Sequence, residues 1–337
     1  METKNKIYVL SFLRGLAVLL VCFCHFGYPL TIKNNNLSGL FLAFLNYGKY
    51  GVNIFFVISG FIIPLSMDKA MYSIKYYLKF LGKRAMRLHP PYLAALALTL
   101  IIVAISNKIK HVPFPESTVS IIQSCFYLHI VQNNPVFWTL QIEAEYYIFM
   151  GVYFVLLKSS PKLTICLSIP LFMFLSQTHL VSYVGLLDYL IFFLIGTIGY
   201  LIYNNENLDR LEILCITALV IFSFAFYELP AAIVALLTIL FILFYKGKVN
   251  KAFDFTGEIS YSLYLIHYPI GTKLLYLAIK HIAPRYYPLL FIAPFLVLIP
   301  LAALFWRFIE NPFAKFSNRI KYGTNKREPQ ILPHIQL

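Results

Sequence analysis

The chain has 337 residues with a mean hydropathy of +0.73, and 60% of the residues are hydrophobic while only 12% are charged. A soluble domain carries roughly twice that charged fraction, so the composition excludes an ordinary soluble globular protein. The formal net charge of +14 would suit a nucleic-acid-binding protein, but Lys and Arg concentrate between apolar runs, where membrane topology and anionic lipid account for them. We therefore expect a membrane protein surrounded by lipid, with no nucleic-acid partner.

Apolar runs of the length that crosses a bilayer, about 20 residues, follow one another along the chain. They occupy residues 8–30, 47–67, 90–106, 137–157, 163–179, 184–203, 211–227, 229–246, 256–277 and 287–309. The sequence therefore predicts an all-α polytopic membrane protein with about ten transmembrane helices. We assign residues 1–317 to a single membrane-embedded domain and residues 318–337 to a short basic cytoplasmic tail.

The first predicted span contains two ionisable residues, Arg14 and His25. Their spacing returns to within about 20° of the same helix face and separates them by about 16 Å along the axis. Arg14 alone would suit a side chain that extends to the inner surface, and His25 alone would suit a histidine bonded to a backbone carbonyl or wetted at the outer interface. Because both lie on one face, we expect them to line one wall of a functional cavity.

The second span includes the small residues Ser59 and Gly60 where a plain anchor would have Leu. Small residues let helices approach closely, so packing is the commoner reason for such a pair than a ligand site.

Residues 69–89, between the second and third spans, carry six basic side chains among Tyr and Leu. This pattern predicts an interfacial amphipathic helix and not a span. The six are Lys69, Lys75, Lys79, Lys83, Arg84 and Arg87.

Two carboxylates, Glu143 and Glu145, lie in the otherwise apolar fourth span. Carboxylates within a membrane helix are expensive and indicate function. The two side chains are about 200° apart around the helix and cannot both face one cavity, and the helical pattern alone leaves open which of them does.

Orientation follows from the positive-inside rule, which counts Lys and Arg. With the N-terminus inside, the inner segments hold 20 of the 28 Lys and Arg residues, the outer segments hold 7, and Arg14 lies within a span. Both termini are therefore predicted to face the cytoplasm.

Five short motifs occur in a fixed order. They are Arg14 with His25; Phe55-Phe56 with Ser59-Gly60-Phe61; Arg84 with Arg87; Trp138-Thr139-Leu140 with Glu143; and a closing group of residues 257–267, Pro269 and Glu310-Asn311-Pro312. In these motifs the chain resembles the membrane-bound acyltransferase 3 family, which includes bacterial O-acetyltransferases of O-antigen and other surface polysaccharides. The resemblance extends from the first span to Pro312 and favours Glu143 over Glu145.

The resemblance implies an O-acyltransferase of the bacterial cytoplasmic (inner) membrane that uses cytoplasmic acetyl-CoA and acts on a lipid-linked or exported carbohydrate. It places His25 and Glu143 in the catalytic site. The donor-binding residues that we assign are Arg14, Arg84, Arg87, Ser59, Tyr261 and His267. No metal is expected, and the five cysteines have no spacing typical of a zinc site or a disulfide framework.

The chemistry of the residues agrees with this reading. Arg presents a planar fork that suits the phosphates of CoA, and the narrow pantetheine arm is comparable in length to the roughly 16 Å between Arg14 and His25. Neutral imidazole can take the proton of an attacking hydroxyl, Glu143 can orient that imidazole or bind the acceptor, and Arg14 can line the donor channel. A covalent acyl-histidine remains an alternative route.

Two alternatives differ in function. A transporter or flippase for a glycan or lipid would also need intramembrane charges and many spans, but it would not need paired arginines beside a histidine cavity. The same enzyme class could also use another donor, such as succinyl-CoA.

The orientation is directly testable. A single cysteine introduced by Lys75→Cys should react with a membrane-impermeant maleimide only after the cells are permeabilised, because residues 69–89 are predicted to be cytoplasmic. Labelling of this cysteine from outside intact cells, with a background lacking the native cysteines as control, would reverse the predicted orientation.

Overall fold

The computed structural model describes residues 8–31, 39–205, 209–247 and 249–322, and every regular element within these ranges is helical. The first eight α-helices are α1 (Tyr8–Thr31), α2 (Gly39–Tyr47), α3 (Gly51–Lys69), α4 (Tyr77–Lys110), α5 (Thr118–Cys125), α6 (Trp138–Ser159), α7 (Pro161–Leu175) and α8 (Leu186–Asn204). The others are α9 (Arg210–Phe226), α10 (Leu229–Phe244), α11 (Lys251–Glu258), α12 (Ser260–Ile266), α13 (Lys273–Ala278), α14 (Tyr287–Phe305) and α15 (Asn311–Asn318). Two π-helical segments, His267–Thr272 and Trp306–Glu310, join α12 to α13 and α14 to α15.

The all-helical membrane prediction is confirmed, whereas the count of about ten spans is not. In the described ranges, six helical stretches are long and apolar enough to cross a membrane. They are Val9–Leu30, Phe41–Lys69, Ile74–Lys110, Pro135–Ser159, Leu186–Asn204 and Pro284–Asn318. Helices α7 and α10 are apolar but shorter. The ten predicted apolar runs all lie mainly on helices. The run 256–277 is divided among α11, α12, a π segment and α13, and helices α7, α9 and α10 have only 15, 17 and 16 residues.

The region predicted as an interfacial helix is organised differently from the prediction. Residues 77–89 and the predicted span 90–106 form one continuous helix, α4, with Pro90 and Pro91 inside it. Proline is tolerated within membrane helices because neighbouring groups satisfy the freed backbone carbonyls. Consequently Arg84 and Arg87 belong to a helix of spanning length, and the Arg84 side chain points into the bundle with only 5% of its surface exposed.

The outside of the bundle is apolar. Large hydrophobic side chains such as Leu296 (78% exposed), Phe244 and Phe174 point away from the protein on three different helices. A soluble protein rarely exposes large apolar patches, and these exposed side chains suit lipid as the surrounding solvent.

Helices α3 and α8 make the most extensive helix–helix contact of the described residues, and glycines permit it. A Cβ atom on Gly60 would overlap the carbonyl oxygen of Phe193, and one on Gly196 would overlap that of Val57. The Thr197 hydroxyl donates to the carbonyl oxygen of Gly60 over 3.1 Å and links the two helices. Gly60 is thus a packing residue, and its neighbour Ser59 faces a cavity.

Helix α1 is held in the same way. A Cβ atom on Gly257 would overlap the backbone of Ser11, and one on Gly271 would overlap the ring of Phe26. The start of the closing motif group and the first π segment therefore lie against the two ends of α1, near Arg14 and near His25.

The start of the predicted tail packs onto the bundle. The buried Tyr322 ring lies 5.8 Å from that of Tyr72 and 5.9 Å from that of Tyr76, and the Lys83 ammonium lies over it at 5.7 Å. The rest of the predicted tail, residues 323–337, lies outside the described residues.

Substitution of Gly60 tests the α3–α8 contact. Gly60→Ala should destabilise the protein by about 1–3 kcal/mol, the usual cost of overpacking a close-packed interior, because the new methyl group meets backbone that cannot move aside. Gly82→Ala is the matched control, since a Cβ atom there meets nothing within 4 Å and Gly82 is exposed on α4. It should be neutral or stabilise by about 0.5–1 kcal/mol. Thermal unfolding of the purified proteins in detergent measures both, and equal melting temperatures for Gly60→Ala and wild type would contradict the contact.

Candidate functional site

A cavity of about 110 Å³ lies between α1, α3, α4, α6, α12 and the second π segment. Its charged lining residues are Arg14, Arg84, Arg87, Glu143 and Glu310. Its hydroxyl-bearing lining residues are Ser59, Thr139, Tyr147, Tyr261 and Tyr264, and the other walls are apolar. Five ionisable groups around one cavity inside a membrane bundle satisfy the requirement that such groups face a cavity or one another.

Arg84 is the most enclosed of the three arginines. Its Nη2 donates to Ser66 Oγ over 2.5 Å, and its guanidinium lies over the rings of Phe80 and Tyr147 at 5.5 and 5.7 Å. Its Nε is buried and has no hydrogen-bond partner among the residues that the structure describes. A buried donor left unpaired is costly, so this cationic side chain is suited to an anion that completes its hydrogen bonds.

Arg14 and Arg87 lie within electrostatic range of each other and of Glu310. Glu310 is 5% exposed, and its Oε2 accepts hydrogen bonds from Ser262 N (3.1 Å) and Ser262 Oγ (2.6 Å). The carboxylate is thereby fixed at the end of the second π segment. It offsets part of the arginine charge, so that the three arginines and two glutamates carry a formal total of +1.

The structure distinguishes the two glutamates of α6. Glu143 lines the cavity, and its Oε1 accepts a hydrogen bond from the Tyr147 hydroxyl over 2.5 Å. Glu145 points to α8, where its Oε2 accepts from the backbone N–H of Leu186 over 2.7 Å. That bond satisfies one of the free N–H groups at the start of α8. Glu143 therefore faces the cavity, while Glu145 has a structural contact.

The hydroxyl groups of the lining are mostly anchored to backbone. The Tyr261 hydroxyl donates to the carbonyl oxygen of Leu88 over 2.8 Å, which ties α12 to α4. The Tyr264 hydroxyl donates to the carbonyl oxygen of Val136 over 2.9 Å and lies 2.8 Å from Thr139 Oγ1. Thr139, from the Trp138-Thr139-Leu140 motif, thus helps to fix Tyr264 at the cavity wall.

His25 and His267 lie together, next to the cavity but not on its lining. Their ring centroids are 5.3 Å apart, and the Tyr268 ring stands edge-on to His25 at 5.0 Å. His267 is completely buried, and its ring lies 5.7 Å from that of Tyr264, which does line the cavity. The predicted shared wall of Arg14 and His25 is thus divided, because Arg14 borders the cavity and His25 lies beyond Tyr264 and His267.

Of the predicted site residues, the cavity brings together Arg14, Ser59, Arg84, Arg87, Glu143 and Tyr261. Sequence reasoning assigned no role to Tyr147 or Tyr264, and it noted Glu310 only as part of a closing motif. Tyr147 lies four residues after Glu143, and residues at that spacing are neighbours on a helix, so the sequence did contain a signal for it. The contact of Glu310 with Ser262 joins distant parts of the chain and has no such local signal.

No group of three or more His, Cys, Asp or Glu side chains suited to a metal ion occurs in the described ranges. The polar groups of the cavity are arginines, carboxylates and hydroxyls, which suit an anionic organic ligand better than a cation.

The model of the acyltransferase 3 family, described as an acyltransferase domain, matches residues 7–307. The comparisons with curated proteins and with solved structures give no match. The family match spans the whole cavity except Glu310 and includes both His25 and His267. It confirms the resemblance seen in the motifs: the chain is a multi-pass membrane protein that belongs to the acyltransferase 3 family.

Proposed function

We propose that the protein transfers an acetyl group from cytoplasmic acetyl-CoA to a hydroxyl of a lipid-linked or exported carbohydrate, within a bacterial inner membrane and with both termini in the cytoplasm. Family membership supports acyl transfer in general. The donor, the acceptor and the direction of transfer are the proposed part.

The observation that carries the proposal is the unsatisfied guanidinium of Arg84. Arg84 is buried, and its Nε has no hydrogen-bond partner in the described part of the chain. Arg84 shares the cavity with Arg14 and Arg87. Arg pairs with phosphate through parallel N–H bonds. A phosphate-bearing donor whose narrow arm enters the cavity would complete those bonds, and acyl-CoA has this form.

The position of the histidines supports transfer towards the opposite side. Arg14 and His25 lie on the single helix α1, about 16 Å apart along its axis. A donor held near Arg14 and the α4 arginines would direct its thioester along α1, past Tyr264, towards His25. The carbohydrate would approach His25 from the outer end of the same helix.

The reaction needs one proton acceptor. We assign this role to His25: its unprotonated nitrogen takes the proton of the carbohydrate hydroxyl while the hydroxyl oxygen bonds to the thioester carbonyl carbon. The carbon–sulfur bond then breaks, and the imidazolium returns the proton to the departing thiolate. The products are a sugar ester and free thiol, so His25 ends the cycle in its initial state.

Glu143 is proposed to act on substrate from the cavity wall and not on His25. Its carboxylate is bonded to Tyr147 and faces the same space as the arginines, whereas the ring next to His25 is that of His267. This arrangement favours binding of substrate over orientation of the base, the two roles considered from the sequence.

The transporter alternative is less well supported, since the family match is to an acyltransferase domain. The choice between acetyl and succinyl donors is a matter for assay. A succinyl donor would bring an additional carboxylate to the reacting end, next to the rings of His267 and Tyr268 that contact His25.

Loss of His25 should abolish transfer. In proteoliposomes supplied with acetyl-CoA and a lipid-linked glycan, His25→Ala should lower kcat by about 10²–10⁴-fold, the usual contribution of a positioned base. The variant should accumulate and melt like wild type, because His25 is only partly buried. Parallel assays with succinyl-CoA identify the donor.

Normal acetylation by a well-folded His25→Ala protein would show that His25 is not the proton acceptor of the reaction. Failure of the wild-type protein to release free CoA from either donor would overturn the acyl-CoA proposal itself.

Arg84 and Arg87 of α4 should be required for binding of acetyl-CoA and not for binding of the carbohydrate acceptor. Arg84→Lys and Arg87→Lys should each raise the KM for acetyl-CoA by roughly ten- to a hundredfold, because a charge-assisted contact contributes about 1.5–3 kcal/mol and Lys cannot reproduce the planar fork. The KM for the acceptor should change little.

Lys79→Ala is the control for this experiment, since it removes a positive charge from the same helix at a residue outside the cavity lining. An unchanged KM for acetyl-CoA in both Arg→Lys variants would show that these arginines do not bind the donor. Their positive charge would then serve only to set the membrane orientation and to interact with anionic lipid.

A further inference from the structure

His267 has a hydrogen-bonding state that its surroundings determine. Its Nδ1 lies 2.7 Å from the carbonyl oxygen of Tyr264. A carbonyl oxygen can only accept, so Nδ1 must carry the proton, and in a neutral imidazole the other nitrogen is then a bare acceptor. His267 therefore presents an acceptor at Nε2.

That acceptor is unsatisfied. Nε2 of His267 is buried, and no donor among residues 8–31, 39–205, 209–247 and 249–322 is bonded to it. Buried polar atoms are nearly always hydrogen-bonded, and each exception calls for an explanation. A group that donates to Nε2 would supply that explanation.

Of the rings around His267, those of His25 and Tyr268 carry a free donor, and His25 is the nearer, with the Tyr268 centroid 6.5 Å from that of His267. Phe26 has no polar hydrogen, and the hydroxyl of Tyr264 donates to Val136. The His25 ring lies 5.3 Å from that of His267, between centroids. At this separation, ring nitrogens that face each other come within hydrogen-bonding distance. A rotation of the partly buried His25 ring would direct its N–H to Nε2.

The local backbone holds the two rings at this separation. His267 begins a π-helical segment, a wide helical turn that is rare and often found at functional sites. Gly271 in the same segment lets Phe26 of α1 pack directly against it. Since Phe26 follows His25 in the chain, this contact also positions His25.

We propose that His267 is a positioning residue for His25. The Tyr264 carbonyl fixes the tautomer of His267, and Nε2 of His267 accepts the ring N–H of His25. The second nitrogen of His25 is thereby kept unprotonated and directed at the carbohydrate hydroxyl. When His25 takes the hydroxyl proton, the same bond shares the positive charge of the imidazolium.

This inference rests on the proposed function. It replaces the role in acetyl-CoA binding that the resemblance predicted for His267 with a role in orienting His25. The Tyr264–His267–His25 chain follows the general arrangement in which a base is oriented by a second group and that group by a third. Catalytic hydrogen bonds of this kind commonly shorten only when substrate is bound.

Two substitutions separate the two sides of the His267 ring. His267→Asn keeps a donor near the position of Nδ1 for the Tyr264 carbonyl and removes the acceptor at Nε2. His267→Gln places an amide oxygen near Nε2 and loses the donor at Nδ1. His179→Asn, on an exposed turn outside the cavity, is the control for the exchange itself.

We expect His267→Asn to lower kcat by about 10–100-fold, the loss typical when a group that orients a metal-bound histidine is removed, with the KM for acetyl-CoA unchanged. His267→Gln should recover a large part of that loss. Wild-type activity in the same proteoliposomes reports separately on the proposed function, because the variants are compared only with an active wild type.

Three results would overturn the inference. A raised KM for acetyl-CoA with normal kcat would show that His267 binds acetyl-CoA instead of positioning His25. Activity retained in the Asn variant and lost in the Gln variant, together with a lower melting temperature, would assign His267 a structural role through Nδ1. Normal kinetics in both variants would show that His25 needs no partner at this nitrogen.

Discussion

An arginine inside a membrane-spanning bundle is tolerated only where it meets water, an acceptor or an opposite charge, and this constraint organises the centre of the protein. Arg14, Arg84 and Arg87 come from two helices and converge on one cavity with two glutamates. The carboxylates reduce the repulsion between the guanidinium groups without cancelling it. The residual positive charge makes the cavity a favourable place for an anionic ligand.

Convergence of charges requires that the helices approach closely, and small residues make this possible. Gly60 and Gly196 bring α3 against α8, and Gly257 brings the start of the closing motif group against α1. In lipid there is no hydrophobic force between helices, so packing and hydrogen bonds must hold them together. Gly60 lies in the α3–α8 contact while its neighbour Ser59 lines the cavity, so one short segment both packs the helices and contributes to the site.

Much of this arrangement could be predicted from the sequence, because helix geometry links residues at short range. The common helix of Arg14 and His25, the helical segments and the different directions of Glu143 and Glu145 all follow from helical periodicity. The number of spans was predicted less well, since apolar composition does not fix where a helix ends: the apolar run 163–179 contains most of the 15-residue helix α7. The Ser262–Glu310 and His25–His267 contacts depend on tertiary packing, which one sequence does not reveal.

The π segment His267–Thr272 limits where residues can be inserted into the chain or deleted from it. A π turn accommodates one residue more than an α turn does, and each α-helical residue rotates the side chains that follow by about 100°. Deletion of one residue from His267–Thr272 would restore regular α-helix but turn Tyr264 and Gly271 away from their present neighbours on opposite sides of the segment. Insertions and deletions should therefore be confined to loops outside this segment. The number of residues from Tyr261 to Lys273 is held constant by the geometry of the site.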